Sequence, residues 1–426
     1  MFPFDVRRVA DFPLVSVQIP QRLRVWLILL HEFLLVFHLL FLETVRRVQS
    51  VEASLHLEEL IHKYGYPLES HEVTTEDGYL LNIFRIPHGK GGSGVNKKPV
   101  LMVHGLLGES ENFICLAMYN GSLAFLLADN GYDVWLANTR GTDHGKKHLT
   151  LSTRDKEFWN FSWHEIGKYD VPATIDYVLE KTKKPKLYYV GYSQGGTVFL
   201  VLTTVRPEYQ KKILMASLLA PAGYMHYMTP GFVGFFAKSH KLIMGMADQF
   251  NLYEVPTEKN SIPKIFQSIC INSTTIMSNF CVTLLKGLNG IISEQSGLEM
   301  LPLAFRFIPT VSIKQIVHYL QVLDSGKFRY FDHGSPQKNT EMYSSPEPPY
   351  YQLETISVPV AFYFGAHDAQ VEARDVRDMC NDVQNCVELY QIKIPSWSHY
   401  DYIYSNCTLK EVNLPVLRVM QKYNEI

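Results

Sequence analysis

Gly191-Tyr192-Ser193-Gln194-Gly195 constrains this 426-residue chain more than any other stretch. The apolar run Lys186-Leu187-Tyr188-Tyr189-Val190 precedes it and reads as a strand; Gly196-Thr197-Val198-Phe199-Leu200-Val201-Leu202 follows and reads as a helix. A G-x-S-x-G between a strand and a helix has the form of a nucleophile elbow. Its glycines permit a strained turn that lifts one serine hydroxyl clear of a sheet, at a helix N-terminus. The pentapeptide alone is weak evidence, because small residues around a serine are common. Its flanks give it weight.

A serine is a poor nucleophile at its own pKa and needs a base, with a third group to orient that base. Behind an elbow of this kind the acid comes next in the chain and the histidine last. Val358-Pro359-Val360-Ala361-Phe362-Tyr363-Phe364 reads as a buried strand, with Gly365-Ala366-His367-Asp368 in the turn after it. Val387-Glu388-Leu389-Tyr390-Gln391-Ile392 reads as another, followed by Pro395-Ser396-Trp397-Ser398-His399. Asp368 and His399 are thereby expected just past strand C-termini, at the edge where Ser193 emerges. Taken singly, Asp368 is equally readable as a turn aspartate capping the next helix, and His399 as an ordinary surface or core histidine. The three in the expected order favour a Ser193–Asp368–His399 triad.

The oxyanion of an acyl-transfer intermediate needs donors as well. Pro99-Val100-Leu101-Met102-Val103 reads as a strand that ends in the loop His104-Gly105-Leu106-Leu107-Gly108. A His-Gly loop at this point corresponds to the one that supplies a backbone N–H in lipases, the second coming from the residue after the serine. Those donors fall on Leu106 and Gln194, and His104 is read as a structural loop histidine.

Further segments resemble a known family, the acid lipases among the α/β-hydrolases (lysosomal acid lipase, gastric lipases and insect digestive lipases). They are Tyr64-Gly65-Tyr66-Pro67, Glu72-Val73-Thr74-Thr75-Glu76-Asp77-Gly78-Tyr79, Gly131-Tyr132-Asp133-Val134-Trp135 and Asn138-Thr139-Arg140-Gly141. Phe158-Trp159, Lys168-Tyr169-Asp170, Asp332-His333-Gly334-Ser335-Pro336 and Pro348-Pro349-Tyr350-Tyr351 extend the match. The resemblance runs from about Leu57 to the C-terminus. It implies an α/β-hydrolase fold, a mostly parallel central sheet with helices on both faces and an inserted, mainly helical cap. The same triad and oxyanion amides follow from it residue by residue. It also implies a Cys270–Cys281 disulfide in the cap. Two departures stand out: Tyr192 where members usually carry His, and His333 where they carry Trp. Thr142-Asp143-His144-Gly145-Lys146-Lys147-His148 is atypical too.

The expected organisation is an N-terminal extension over 1–53, a core in two parts over 54–222 and 326–426, and a cap over 223–325. The cap holds its own small core, and its six methionines and eight phenylalanines between Tyr224 and Pro309 also suit a pocket for long acyl chains. The expected activity is hydrolysis of neutral lipid esters of the triacylglycerol type through an acyl-enzyme. Steryl-ester hydrolysis on the same scaffold is the alternative, as is a lipid-binding protein derived from a hydrolase. No metal or organic cofactor is required by this chemistry.

A net charge of −2 gives no reason to expect nucleic acid as a partner. His88-Gly89-Lys90-Gly91-Gly92-Ser93-Gly94 lacks the spacing of a phosphate loop and reads as a surface hairpin loop. His144 and His148 are four apart, but Gly145 and the lack of an acidic residue between them argue against a helical metal pair. Val25 to Leu42 is an apolar run behind Arg22 and Arg24, with Ala53 as a possible end of a cleavage site. It reads as a secretory signal. A signal anchor is the alternative, since the run approaches the ~20 residues that span a bilayer. Glu32, His31 and His38 interrupt it and favour cleavage. Secreted or lysosomal delivery agrees with the N-x-[ST] candidates at Asn120, Asn160, Asn272 and Asn406. Among six cysteines, Cys380 and Cys386 are close enough to staple a local loop, and Cys115 and Cys407 read as free thiols.

Overall fold

The computed structural model describes residues 57–92, 97–117, 120–228, 231–255 and 309–423. The N-terminal extension, Asn272, Cys270 and Cys281 lie outside the described residues.

The strands are β1 (Glu69–Thr74), β2 (Tyr79–Ile86), β3 (Lys98–Val103), β4 (Tyr132–Leu136), β5 (Lys147–His148), β6 (Leu187–Tyr192), β7 (Ile213–Leu219), β8 (Glu254–Val255), β9 (Val311–Ser312), β10 (Val360–Phe364) and β11 (Cys386–Gln391). Eight of them run in the order β1-β2-β4-β3-β6-β7-β10-β11, with β5 added beside β2. From β4 to β11 every neighbouring pair is parallel, whereas β2 pairs antiparallel with β1, β4 and β5. β4, β6 and β10 are buried at every residue. A parallel sheet reads this way because crossover segments cover both of its faces.

The sheet order corrects one expectation. β2 and β3 are not neighbours, because β4 lies between them, so the Gly-rich stretch after His88 is a crossover and not a hairpin loop. Its described part is tied down where Lys90 N–H donates to Asp129 Oδ1 (2.9 Å), the carboxylate that also takes Tyr66 O–H (2.7 Å).

Of the helices, α1 (Val171–Thr182) precedes β6 and α2 (Gln194–Val205) follows it. Between β7 and β10 come α3 (Gly231–Lys238), α4 (His240–Phe250) and α5 (Ile313–Ser325), with α5 packed on both α3 and α4. β8 and β9 pair antiparallel, which joins the segment after α4 to the one before α5. On α4, Leu242, Met246 and Phe250 stand exposed at intervals of four, one apolar stripe along the helix. α6 (Ala373–Asp382) joins β10 to β11, and a Cys380–Cys386 disulfide fastens its end to the start of β11. Cys115 and Cys407 are free; Cys115 is buried, which pushes its thiol up to about 12.

One buried cation gathers the loops beneath the catalytic edge. Arg140, 2% exposed, donates to both Asp77 oxygens (2.6 and 2.8 Å) and through Nε to Asp170 (2.7 Å), with Tyr79 stacked on its guanidinium. Burial pushes the Asp77 carboxyl up, but the guanidinium outweighs it and holds the group below the usual range. The Asn138-Thr139-Arg140-Gly141 motif is thus a structural clamp between the β1–β2 turn and the turn that leads into α1.

His104 and His318 are buried and held neutral. His104 donates from Nδ1 to Gly105 O (2.8 Å) while Nε2 accepts the Thr139 N–H (3.2 Å), and burial lowers it to about 4. His318 stacks on Trp163 and meets Ser162 Oγ and Arg329 O, each at 3.0 Å; burial lowers it to about 3. Both folded values lie below the unfolded one of about 6.5, so the unfolded chain binds the extra protons. The stability these groups contribute is full above pH ~6.5 and is lost as pH falls toward ~4, at up to about 1.4 kcal/mol per pH unit for each histidine. Urea unfolding at pH 7, 6 and 5 should therefore show falling stability, with a shallower acid slope in His318→Gln. An unchanged slope in that variant would remove His318 from the acid response.

Candidate active site

β6 ends at Tyr192, and the chain turns through Ser193 directly into α2. Ser193 has φ 51° and ψ −112°, a conformation that non-glycine residues adopt only when the surroundings enforce it. The neighbouring glycines explain how it is enforced. A Cβ on Gly191 would lie 2.5 Å from Gly195 O, and one on Gly195 would collide with Val103 O at the end of β3. Ser193 N–H donates to Leu219 O at the end of β7 (2.8 Å), which pins the turn from the other side.

Asp368 follows β10 and His399 follows β11, so both emerge at the C-terminal edge of the parallel strands, together with Ser193. His399 Nε2 lies 2.8 Å from Ser193 Oγ, and His399 Nδ1 lies 2.9 Å from Asp368 Oδ2. The other Asp368 oxygen accepts the N–H groups of Gln370 (2.8 Å) and Val371 (3.1 Å). The carboxylate accepts on the Nδ1 side, so the neutral ring carries its proton there and turns the Nε2 lone pair to the serine. All three side chains are buried. Two other aspartates are engaged elsewhere: Asp401 accepts Ser398 N–H (2.6 Å), and Asp332 accepts Gly334 N–H (2.8 Å).

Gln194 is the first residue of α2, so its N–H belongs to the group that a helix leaves without an intrahelical acceptor. Leu106 sits in the loop after β3, next to Gly105, where an added Cβ would come 3.1 Å from Ser193 Cβ. The loop therefore passes close against the serine. His104 turns away from it into the Gly105 and Thr139 main chain, a structural role.

Tyr192 was noted in the sequence as a departure and not as a site residue. Its O–H donates to His399 O (2.9 Å), with the two rings 5.5 Å apart. The side chain is buried, and burial keeps its phenol un-ionised, well above the usual range. Its adjacency to Ser193 and its departure from the family's usual His pointed to it in the sequence, but its partner is 207 residues away.

Thr197 in α2 donates to Ala222 O (2.7 Å) and faces Tyr319 O–H (2.9 Å), which links the elbow helix to α5 of the insertion. His333 meets Tyr343 O–H (3.1 Å), apart from the serine. His148 Nε2 faces Asp77 O (2.8 Å), while His144 faces Glu111 (3.6 Å), so these two histidines do not converge. Asn120, Asn160 and Asn406 are exposed. Among the described residues no helix is long and apolar enough to cross a membrane.

Residues 57–117 match the family described as a partial α/β-hydrolase lipase region, and residues 98–250 match the α/β hydrolase fold. Lipase 3 of Drosophila melanogaster is 38% identical over 372 residues, covering 86% of this chain and 92% of that protein. The gastric triacylglycerol lipase of Bos taurus is 34% identical over 372 residues, 87% of this chain and 92% of that one. Lipase member K of Homo sapiens is 34% identical over 386 residues, 87% and 92% of the two chains. Among solved structures, the α/β hydrolase GrgF of Penicillium sp. sh18 shares the fold, with TM-score 0.51 and 14% identity over 84% of this chain and 98% of that one. The parallel sheet, the serine elbow and the extent of these likenesses agree: the chain belongs to the lipase family of α/β-hydrolases and is a carboxylic ester hydrolase.

Proposed function

We propose that this protein hydrolyses neutral lipid esters of the triacylglycerol type through an acyl-enzyme on Ser193, with His399 as base and Asp368 as its orienting acid. The observation that carries this reading is the unbroken series Asp368–His399–Ser193, at 2.9 and 2.8 Å, on a strained elbow. His399 Nε2 takes the serine proton as Oγ attacks the ester carbonyl. The N–H groups of Leu106 and Gln194 receive the oxyanion. The imidazolium, steadied by Asp368, gives the proton to the leaving alcohol. Water then enters, loses its proton to His399 and releases the fatty acid from Ser193.

Residues 223–325 act as the cap over this serine. The stripe Leu242, Met246 and Phe250 supports contact with a lipid surface, because leaving such groups in water costs about 25 cal/mol per Å². Residues 1–53 direct the chain into the secretory pathway, for secretion or lysosomal delivery, where Asn120, Asn160, Asn272 and Asn406 are glycan acceptors and Cys270 pairs with Cys281. The Cys380–Cys386 bridge suits such an oxidising compartment.

A fluorophosphonate probe and a triacylglycerol assay test the nucleophile. Ser193→Ala should lose both labelling and turnover while keeping its unfolding midpoint. Asp368→Asn should lower kcat by on the order of 10⁴, because the histidine would then adopt the wrong tautomer. Near-normal turnover in that variant would mean the acid is another residue. Cholesteryl oleate measured beside triolein separates the steryl-ester alternative, and labelling without turnover on either would favour a lipid-binding role.

Tyr192 is a positioning residue in this scheme: it holds the His399 main chain and touches no substrate. Tyr192→Phe removes one buried hydrogen bond, of about 0.5–1.5 kcal/mol, so kcat should fall by roughly 2- to 10-fold with KM unchanged. An effect on KM alone would sink that role.

Rates across the solubility limit of the substrate test the cap. Activity on long-chain esters should rise steeply once droplets form, whereas soluble short-chain esters should be cleaved slowly throughout. A smooth hyperbola with no break would argue for a pocket that is always open.

A further inference from the structure

Three residues that the hydrolytic scheme does not use meet beside the oxyanion loop. Glu109 and Glu111 lie just after Gly108, and His144 lies in the loop after Arg140. One ligand-capable atom from each falls within 4.8 Å of the other two. His144 Nε2 and Glu111 Oε1 are 3.6 Å apart. Two ligands at about 2.0–2.1 Å from a tetrahedral ion stand roughly 3.4 Å from each other, so this pair already has nearly that spacing.

Both glutamates are 4% exposed, which is unusual for carboxylates without compensation. Glu111 has partners, its Oε2 accepting Ser110 O–H at 3.0 Å. Glu109 Oε2 is buried with no hydrogen-bond partner among the described residues. A carboxylate oxygen buried in this state has lost its hydration with no hydrogen bond in exchange. Lys146 faces the group but is held by Asp143.

We propose that Glu109, Glu111 and His144 form a binding site for one divalent cation of the zinc type, which fastens the segment after the oxyanion loop to the segment after Arg140. Two carboxylates and an imidazole with room for water are a donor set that zinc accepts. Calcium, which takes six to eight oxygen ligands, does not fit it. His144 is partly exposed, side chain 29%, which leaves the ion a route in and a place for a water ligand. The backbone on both sides is already fixed, for Asn112 N–H donates to Glu109 O (3.0 Å) and Asn82 N–H to His144 O (2.9 Å). Binding would therefore call for little rearrangement. The ion has no part in the acyl-transfer steps and acts on the loop that carries Leu106.

The test uses the full chain expressed in eukaryotic cells and stripped with EDTA. Titration with ZnCl₂ should give one saturable site, and an excess of about 100 times Kd should raise Tm by roughly 3 °C. Glu109→Gln and His144→Gln should each weaken binding by about 100-fold or more and abolish the Tm shift. His144 is partly exposed, so its variant keeps the test valid should Glu109→Gln fail to fold. His148→Gln should bind like the parent chain, and CaCl₂ should neither bind nor compete. Absence of a saturable site, equal binding by the Glu109 and His144 variants, or equal competition by calcium would each overturn the assignment.

Discussion

The close approach of β3 to the start of α2 governs the catalytic edge. Val103 O occupies the space where a side chain on Gly195 would be, and Gly195 O fills the corresponding space at Gly191. With both glycines present, the helix can begin at once after the strand, and Ser193 is left in a left-handed conformation that its backbone alone would disfavour by about 1–3 kcal/mol. That strain is carried by hydrogen bonds, Ser193 N–H to Leu219 O and the Gly196 and Thr197 N–H groups of α2 back to Ser193 O. Any wider separation of β3 and α2 would relax the turn and also draw the Gly105–Gly108 loop away from the serine. Ser193 and the Gly105–Gly108 loop, the proposed nucleophile and oxyanion loop, are thus set by one contact.

Asp368 and His399, the proposed acid and base, come from the opposite half of the sheet, where β10 and β11 lie beside β7. Their loops are less regular than the elbow and need more ties. Asp368 is held by two main-chain amides of its own turn, and the His399 main chain by the phenol of Tyr192. Tyr192 therefore spans the two halves: it leaves β6 next to the nucleophile and reaches the residue that activates it. A histidine at this position is shorter and would reach the same carbonyl only with a different loop path, so Tyr192 and the β11 loop have to be understood as a pair.

What the sequence revealed follows from what is local. β6, β10 and β11 fall within two residues of their sequence readings, because each is a short run between turn signals. α2 begins at Gln194, two residues before the Gly196 at which the helical run starts by pattern, since glycines look like turn residues when the packing against Val103 is unseen. That Ser193, Asp368 and His399 would meet was legible through chain order. The hairpin reading after β2 failed for a non-local reason: nothing in that stretch says that β4 will come between β2 and β3. The partners of Arg140, Tyr192 and His144 were hidden for the same reason, since each of these residues stands out in the sequence but joins a segment far away in it.

These non-local groups share a physical logic. Backbone at the C-terminal ends of parallel strands is irregular, and its amides and carbonyls need partners that no sheet ladder provides. This chain meets the demand with buried polar side chains: Arg140 with Asp77 and Asp170, His104 with Gly105 and Thr139, and Asp401 with Ser398. Each satisfied group fixes a loop more firmly than apolar packing would, since a buried partner left alone costs about 1–3 kcal/mol. The same reliance on charge ties the active-site frame to protonation, because His104 braces the oxyanion loop only as a neutral ring that accepts the Thr139 amide. Protonating it would turn that acceptor into a donor facing a donor. Acid strong enough to protonate His104 should therefore disturb the loop at the serine.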